Sequence, residues 1–185
     1  MKIGIYSGSF NPVHVGHVAL ADYVVEQGLV DEVWMIRSLL NPLKKASGMM
    51  ADSDRLRMLE LAIEGHPGLR VSTIEDQLPV PNYTITTLRT LQATYPDDEF
   101  HLIVGADNWQ IFQQWREWES ILRDFHLIVY PRPGYPIAPQ EVPHVRFIDA
   151  PLYDISSTQI RECLEKGLPL TGLVDDKVAA YLQQL

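Results

Sequence analysis

Residues 1–24 read MKIGIYSGSFNPVHVGHVALADYV, and this stretch contains the strand, turn and helix from which the fold can be worked out. The apolar run at residues 2–6 leads into turn-forming residues 7–9, a pattern typical of a buried strand followed by a loop. From Val15 onward, apolar side chains recur at helical spacing until Gly28, a glycine that favours a helix end. The N-terminus therefore predicts a β-strand, a short glycine-containing turn and an α-helix.

The rest of the chain repeats this alternation. Apolar runs that favour further strands lie at residues 32–38, 69–75, 100–106, 125–130 and 144–150. Helical patterns lie at residues 54–64 and 85–93, from Ser157 onward, and at residues 175–184. Strands that alternate with helices indicate βαβ units with right-handed crossovers. We therefore predict an α/β fold with a Rossmann-like doubly wound parallel sheet, in a single domain over residues 1–185.

Two segments between these elements are less regular. The tryptophan-rich residues 113–121 fit an amphipathic helix whose aromatic side chains serve partly for packing. The proline-rich residues 131–143 lie between two predicted strands, so we interpret them as a surface connection and not as a linker between domains.

Composition and charge exclude several classes of function. The chain has 185 residues with a net charge of -9, which disfavours a non-specific nucleic-acid binder, since such proteins need many basic side chains. A few basic groups in one pocket can still bind a small anion. The single cysteine, Cys163, excludes an internal disulfide and fits a reducing compartment. No segment has the roughly 20 apolar residues of a membrane span, so we expect a cytoplasmic protein that binds neither membrane nor nucleic acid.

The turn after the first strand is the predicted ligand site, because doubly wound sheets bind ligands beyond the carboxyl ends of their strands. Gly8 allows close approach of the backbone to a ligand. His14 and His17 are three residues apart and share one helix face. The free amides of a helix N-terminus also favour an anion, so we predict a phosphate pocket here. Zinc ligation, which would need a third ligand, and incidental surface histidines are the alternatives.

Two motifs carry a family resemblance. GSFNPVHVGH, residues 8–17, resembles the signature of the HxGH nucleotidyltransferase superfamily, and ISSTQIR, residues 155–161, resembles its second hallmark. The segments DRLRMLELAI, NYTITTLRTL and IVGADNW, residues 54–63, 82–91 and 103–109, are similar to bacterial nicotinate-nucleotide adenylyltransferases. The chain departs from that family at NPLKK, where the usual histidine is missing, and at Thr86, where many relatives have aspartate.

The resemblance implies a nucleotidyltransferase-type fold and transfer of AMP from ATP to nicotinate mononucleotide, giving deamido-NAD and pyrophosphate. It also implies Mg²⁺ bound with ATP, since this ion keeps most of its water and needs few protein ligands. A homodimer is expected by family habit.

The resemblance implies three sets of site residues. The catalytic set is His14, His17, Lys44 and Arg161. The set that binds ATP and its phosphates is Gly8, Ser9, Phe10, His17, Gly105, Asp107, Ser156, Ser157, Thr158 and Arg161. The set that binds the second substrate is Asn11, Lys45, Tyr83, Thr84, Thr87, Trp115 and Arg132.

Plain structural roles compete with some of these assignments. The residues 156–158 fit helix capping as well as phosphate binding, and Trp115 fits a packing aromatic. At the level of function, a nicotinamide-mononucleotide or phosphopantetheine adenylyltransferase stays open as the alternative. A non-catalytic nucleotide-binding module and an RNA-binding domain are the rivals from other classes.

Overall fold

A six-stranded, all-parallel sheet forms the centre of the computed structural model, which describes residues 1–39 and 48–185. The strands are β1 Lys2–Gly8, β2 Glu32–Arg37, β3 Leu69–Val71, β4 Glu99–Gly105, β5 His126–Tyr130 and β6 Val145–Phe147. Their order is β3-β2-β1-β4-β5-β6, the order of two βαβαβ halves whose direction reverses between β1 and β4. This arrangement confirms the predicted Rossmann-like doubly wound sheet.

Helices cover both faces of the sheet. They are α1 Val15–Glu26, α2 Asp52–Ala62, α3 Thr84–Thr94, α4 Ala106–Gln110, α5 Trp118–Asp124, α6 Ser157–Glu165 and α7 Asp176–Leu182. None of these described helices is long and apolar enough to span a bilayer.

Alternate strand residues point to opposite faces, so the sheet separates two apolar clusters. The first cluster lies under α1, α2 and α7 and includes Met35, Met58 and Val178. The second lies under α3 and α5 and includes Ile36, Leu88 and Ile121. Because both faces are covered, the central strands are continuous apolar runs, and this is why they could be identified in the sequence.

Two predicted elements differ in kind from the structure, while the sixth strand, expected over residues 144–150, is shortened to Val145–Phe147. The strand expected over residues 69–75 ends at Val71, and Ile74–Gln77 forms a 3₁₀ turn. In that turn Glu75 turns inward to accept a hydrogen bond from Thr87, and Asp76 pairs with Arg37 at 3.0 Å. These side-chain contacts draw the chain off the sheet edge directly after β3.

The tryptophan-rich segment is the second difference. Instead of one amphipathic helix over residues 113–121, the chain forms a 3₁₀ turn at Phe112–Gln114 and then α5. Glu117 has a left-handed backbone with φ 51°, which interrupts helical geometry between the two.

Candidate active site

The predicted crevice lies where β1 and β4 end side by side. Gly8 closes β1, and Gly105 closes β4, so the loops that follow these two strands meet at the carboxyl edge of the sheet. Phe10 follows with a left-handed backbone, φ 43°, and its ring is buried below the start of α1. From this loop α1 begins, with His14 as its N-cap.

The rings of His14 and His17 cap the start of α1 by accepting hydrogen bonds from backbone amides. The Nδ1 atom of His14 accepts hydrogen bonds from the amides of Gly16 (3.1 Å) and His17 (3.3 Å). The amide of His14 in turn donates to Nδ1 of His17 at 3.1 Å. This is the reciprocal pattern of a capping box, with imidazoles in the place of the usual Ser/Thr and Glu/Gln. Because each Nδ1 accepts, each ring carries its proton on Nε2.

One part of the sequence prediction is corrected by these bonds. We expected free amides at the start of α1 to bind an anion, but the amides of Gly16 and His17 are engaged by His14, and the amide of Val15 donates to the carbonyl of Leu173 at 3.0 Å. These first-turn amides are therefore already hydrogen-bonded within the protein. The donors that this helix start can offer a ligand are the two Nε2–H groups.

Burial keeps both rings neutral. The rings stack with centroids 3.6 Å apart, and His14 is 7% exposed. Burial, with a smaller contribution from the charge of Arg132, lowers the pKa of His14 to about 4. Burial and the neighbouring His14 hold the pKa of His17 well below its usual range. Both imidazoles are thus hydrogen-bond donors through Nε2 at neutral pH, and neither carries a full charge.

Glycines are required at two points because side chains fill the space where a Cβ would lie. At Gly16 a Cβ would lie 2.9 Å from Cε1 of His14. At Gly105 it would lie 2.5 Å from Oδ1 of Asp107 and 3.0 Å from Cγ of Arg132. The glycines in the H-x-G-H and G-x-D segments therefore make room for site side chains.

Arg132 and Asp107 lie at the mouth of the crevice. Their Nε and Oδ1 atoms are 3.8 Å apart, and both side chains are partly exposed. Tyr130, at the end of β5, lines the same small cavity as both histidines and Arg132. Burial raises the pKa of Tyr130 and of its hydrogen-bonding neighbour Tyr6, so both phenols stay protonated.

The second motif is joined directly to the first. The hydroxyl of Ser157 donates to the carbonyl of Pro12 at 2.8 Å, and Nη1 of Arg161 donates to the carbonyl of Asn11 at 2.7 Å. Ser156 caps α6 by accepting from the amide of Gln159. The capping role considered for this segment is therefore real at Ser156.

Within the same segment, Arg161 also donates to the hydroxyl of Thr158 at 3.1 Å. Ser156 and Thr158 are exposed, and Arg161 is partly exposed beside the first motif. These side chains therefore remain accessible at the edge of the crevice.

Asn11 has a different role from the substrate contact that we predicted. Its side chain is buried, donates through Nδ2 to the carbonyl of Gly48 and accepts through Oδ1 from the amide of Met50, both at 3.0 Å. Both ends of the carboxamide thus fasten the chain that returns from the loop after β2. Lys44 and Lys45, predicted in that loop, lie outside the described residues.

The residues predicted to bind the second substrate are not all accessible to a ligand. Thr87 is 1% exposed, and its hydroxyl donates to Glu75 at 2.9 Å, which makes it a packing residue and corrects its assignment to a substrate contact. Tyr83 is exposed at the start of α3, and the guanidinium of Arg116 lies 4.5 Å above its ring. Thr84 follows it as the first residue of α3, and Trp115 is partly buried against Phe112.

Arg55 is a residue that sequence reasoning missed. It is 1% exposed on α2, and Nη1 donates to the carbonyls of Ser9 and Ser38, each at 2.7 Å. Its Nε donates to the carbonyl of Met50 at 3.0 Å, and Nη2 contacts Asp52. One side chain thereby fixes the loops after β1 and β2. The available signal was an arginine on the apolar side of a helix.

A larger groove adjoins the crevice. It has a volume of about 550 Å³, within the range of small-molecule sites, and is bounded by the proline-rich residues 131–140 together with Phe147 and Leu152. Arg132 lines both this groove and the histidine cavity. The predicted surface connection after β5 is therefore one wall of a ligand-sized space.

Comparison with known proteins gives a consistent result in sequence. Residues 5–163 match the cytidylyltransferase-like family. A probable nicotinate-nucleotide adenylyltransferase of Bacteroides thetaiotaomicron is 43% identical over 185 residues, covering 100% of this chain and 92% of the relative. The corresponding protein of Bacteroides fragilis is 48% identical over 167 residues, covering 90% of this chain and 83% of the relative.

Solved structures agree in fold. The nicotinic acid mononucleotide adenylyltransferase of Plasmodium falciparum, complexed with NaAD, aligns with a TM-score of 0.83 at 20% identity, covering 99% of this chain and 95% of the other. A structure titled as a putative nicotinate-nucleotide adenylyltransferase of Vibrio parahaemolyticus aligns with a TM-score of 0.75 at 22% identity, covering 98% of both chains. At such identities the likeness concerns the fold alone.

Proposed function

The chain belongs to the nicotinate-nucleotide adenylyltransferase family of cytidylyltransferase-like proteins, and from this premise we propose how it transfers AMP from ATP to nicotinate mononucleotide in NAD biosynthesis. The phosphate of the mononucleotide attacks the α-phosphorus of ATP. The new bond forms as the bond to the bridging oxygen breaks, and pyrophosphate leaves with the electron pair of that bond. Such a displacement needs positioning and charge stabilisation, with no covalent enzyme intermediate.

The observation that carries this mechanism is the reciprocal capping of His14 and His17. Because both Nδ1 atoms are held by backbone amides, both Nε2–H donors are fixed in tautomer and in orientation. Fixed donors cost no reorganisation when charge moves from the α-phosphate to the leaving group. We assign the two rings to the oxygens of the transferring phosphate, with the backbone of residues 8–10 beside them.

Cationic side chains supply the charge that the neutral histidines lack. Arg161 and Arg132 border the crevice, and the exposed Ser156 and Thr158 offer hydroxyls to phosphate oxygens. We assign Arg161 to the β- and γ-phosphates, together with a lysine, Lys44 or Lys45. Guanidinium groups suit this role because their planar donors match phosphate oxygens.

A divalent cation is typical of ATP-dependent nucleotidyl transfer, and Mg²⁺ fits the residues present. Asp107 offers one carboxylate at the mouth of the crevice, next to Arg132. Mg²⁺ in such sites is bound mainly by substrate phosphates and water, with one or two carboxylates from the protein. When bound, the ion would neutralise charge on the triphosphate.

The second substrate is assigned to the surface at the start of α3. Tyr83, Thr84 and Trp115 present an aromatic and a hydroxyl surface there, and Arg116 holds the Tyr83 ring. A carboxylate only accepts hydrogen bonds, whereas a carboxamide also donates, so amide and hydroxyl donors at this surface would favour nicotinate over nicotinamide. A homodimer and a cytoplasmic location complete the proposal, on family grounds alone.

The test is a substrate comparison. Pyrophosphate release is measured with ATP and Mg²⁺ and, in separate reactions, nicotinate mononucleotide, nicotinamide mononucleotide and phosphopantetheine. We expect kcat/KM to be highest for nicotinate mononucleotide. A preference for nicotinamide mononucleotide would overturn the assignment of specificity, and activity confined to phosphopantetheine would overturn the function.

A further inference from the structure

The chain has six histidines. Three of them, His101, His126 and His144, lie near the amino-terminal ends of strands, whereas the crevice lies at the carboxyl ends. His101 on β4 pairs directly with His126 on β5 in the parallel register. Glu99 precedes His101 by two residues, so both side chains emerge from the same face of β4. His101 lies four residues before Gly105, about 13 Å along the strand from the crevice.

The ligand atoms of these three residues converge. Oε1 of Glu99 lies 2.6 Å from Nε2 of His101 and 3.6 Å from Nε2 of His126, and all three ligand atoms lie within 4.8 Å of one another. Ligand atoms around a tetrahedral zinc ion are about 3.3–3.6 Å apart, given metal–ligand bonds of about 2.0–2.2 Å. The three ligand atoms are thus close enough to share one ion, and because the two imidazole rings stack at 18° with centroids 4.6 Å apart, one ring must turn for both Nε2 lone pairs to point at it.

The surrounding groups act in both directions: the charges of Lys2 and Arg146 oppose a cation, whereas the open space over the histidines leaves room for a metal ion and its water. A cavity of about 260 Å³ opens over both histidines, with Lys2, His144 and Arg146 in its wall. Nδ1 of His144 lies 3.0 Å from the carbonyl of Leu122. Since a carbonyl only accepts, Nδ1 is the donor in this bond, and backbone carbonyls orient metal-binding histidines by the same bond. The ring of His144 lies 5.2 Å from that of His126.

From this geometry we infer that Glu99, His101 and His126 form a binding site for a divalent transition metal, with Zn²⁺ as the best match, separate from the adenylyl-transfer site. Two imidazoles and one carboxylate are ligands that zinc accepts, and three protein ligands leave a fourth position for water. The ion would join the starts of β4 and β5. This proposal is independent of the proposed function.

The test uses the untagged full chain, freed of metal by a chelator, and titrates Zn²⁺ against a chromophoric competitor. We expect one equivalent to bind to the wild type, and His126→Ala or Glu99→Gln to weaken it at least tenfold, since even outer partners of metal ligands are worth 10–100-fold. His66→Ala is the matched control, because His66 forms an ordinary pair with Asp22 at 2.7 Å.

Two further measurements keep the result unambiguous. Co²⁺ is added as a spectroscopic probe, and its visible absorption should appear in the wild type and disappear in both site variants, while circular dichroism confirms that they are folded. The same titration of His17→Asn tests whether the active-site histidines are the ligands, and we expect its zinc affinity to equal that of the wild type. Zinc affinity that drops in His17→Asn but persists in His126→Ala and Glu99→Gln would overturn the proposal, as would a wild type that binds no zinc.

Discussion

At the scale of single residues, the two histidines of the first motif combine a structural and a chemical task in different atoms of one ring. Nδ1 of each holds backbone amides, and Nε2 of each is left to donate. Substitutions can separate these tasks, because an asparagine side chain offers an acceptor oxygen close to the position of Nδ1 but has nothing equivalent to Nε2–H.

We predict that His17→Asn and His17→Ala lower kcat for adenylyl transfer by about 10²–10³-fold, the cost of one oriented donor to the transition state. Only the alanine variant should also lose stability, by about 1 kcal/mol, since it removes the Nδ1 that accepts from the His14 amide in the capping box. Pyrophosphate release measures kcat, and urea unfolding measures stability. Near-normal turnover in either variant would remove His17 from the mechanism.

The neutral state of these rings predicts how stability depends on pH. The folded chain keeps the pKa of His14 at about 4, and that of His17 is also lowered, whereas the unfolded values are ordinary. Between pH about 4 and pH about 6.5 the unfolded chain binds more protons than the folded chain. The free energy of unfolding is therefore highest above pH about 6.5 and decreases as the pH falls toward 4. The loss from His14 alone is on the order of 3 kcal/mol.

Urea unfolding at several pH values between 7.5 and 4.5 checks this prediction. The comparison is with the double variant His14→Asn/His17→Asn, which keeps both cap acceptors and cannot titrate at these positions. The wild type should lose more stability over this range than the double variant. Parallel curves for the two proteins would show that the rings do not titrate as described.

At the scale of elements, the site depends on connections between loops that come from different strands. Arg55 on α2 joins the loops after β1 and β2, Asn11 joins the first of them to the chain at Met50, and Ser157 at the start of α6 joins Pro12. Each connection ends on a backbone carbonyl or amide.

These connections explain what sequence reasoning could and could not predict. The strands and most helices were identifiable because covered parallel strands are apolar runs and helices show apolar periodicity. The histidine capping box was not, because caps are ordinarily recognised from Ser, Thr, Asp or Asn. Contacts to backbone carbonyls, such as those of Arg55, also cannot be predicted from sequence, because every residue type has a carbonyl and the partner therefore has no recognisable side chain. The 3₁₀ turn after β3 was missed because it follows from Glu75 turning inward to Thr87.

We predict that Arg55→Met destabilises the protein by about 3–5 kcal/mol, because it removes the buried guanidinium and leaves three partly buried carbonyls without their donor. It should also lower kcat/KM, since the backbone of residues 8–10 loses its support. Arg57→Met on the same helix is the control: Arg57 is exposed and pairs with Glu60 at 3.4 Å, so its loss should stay within about 0.5 kcal/mol. Urea unfolding and steady-state kinetics measure both effects, and wild-type stability of Arg55→Met would contradict the assignment.

At the scale of the whole molecule, one sheet separates two apolar clusters, and the fluorescent tryptophans lie on only one side of it. All four tryptophans, Trp34, Trp109, Trp115 and Trp118, belong to or pack against the cluster under α3 and α5. Met58 lies in the cluster on the opposite face and is fully buried. Since the strands contribute side chains to both clusters, a substitution that destabilises one cluster should also lower the stability of the other.

We therefore predict that Met58→Ala lowers the free energy of unfolding by about 2–5 kcal/mol, and that tryptophan fluorescence reports this loss from the far side of the sheet. Fluorescence and far-UV circular dichroism should give the same urea midpoint, as they do when a domain unfolds as one unit. Leu168→Ala, at a residue 52% exposed, is the control and should leave the midpoint almost unchanged. If fluorescence kept the wild-type midpoint while circular dichroism shifted, the two faces would unfold separately, and the prediction of a single domain over residues 1–185 would be wrong.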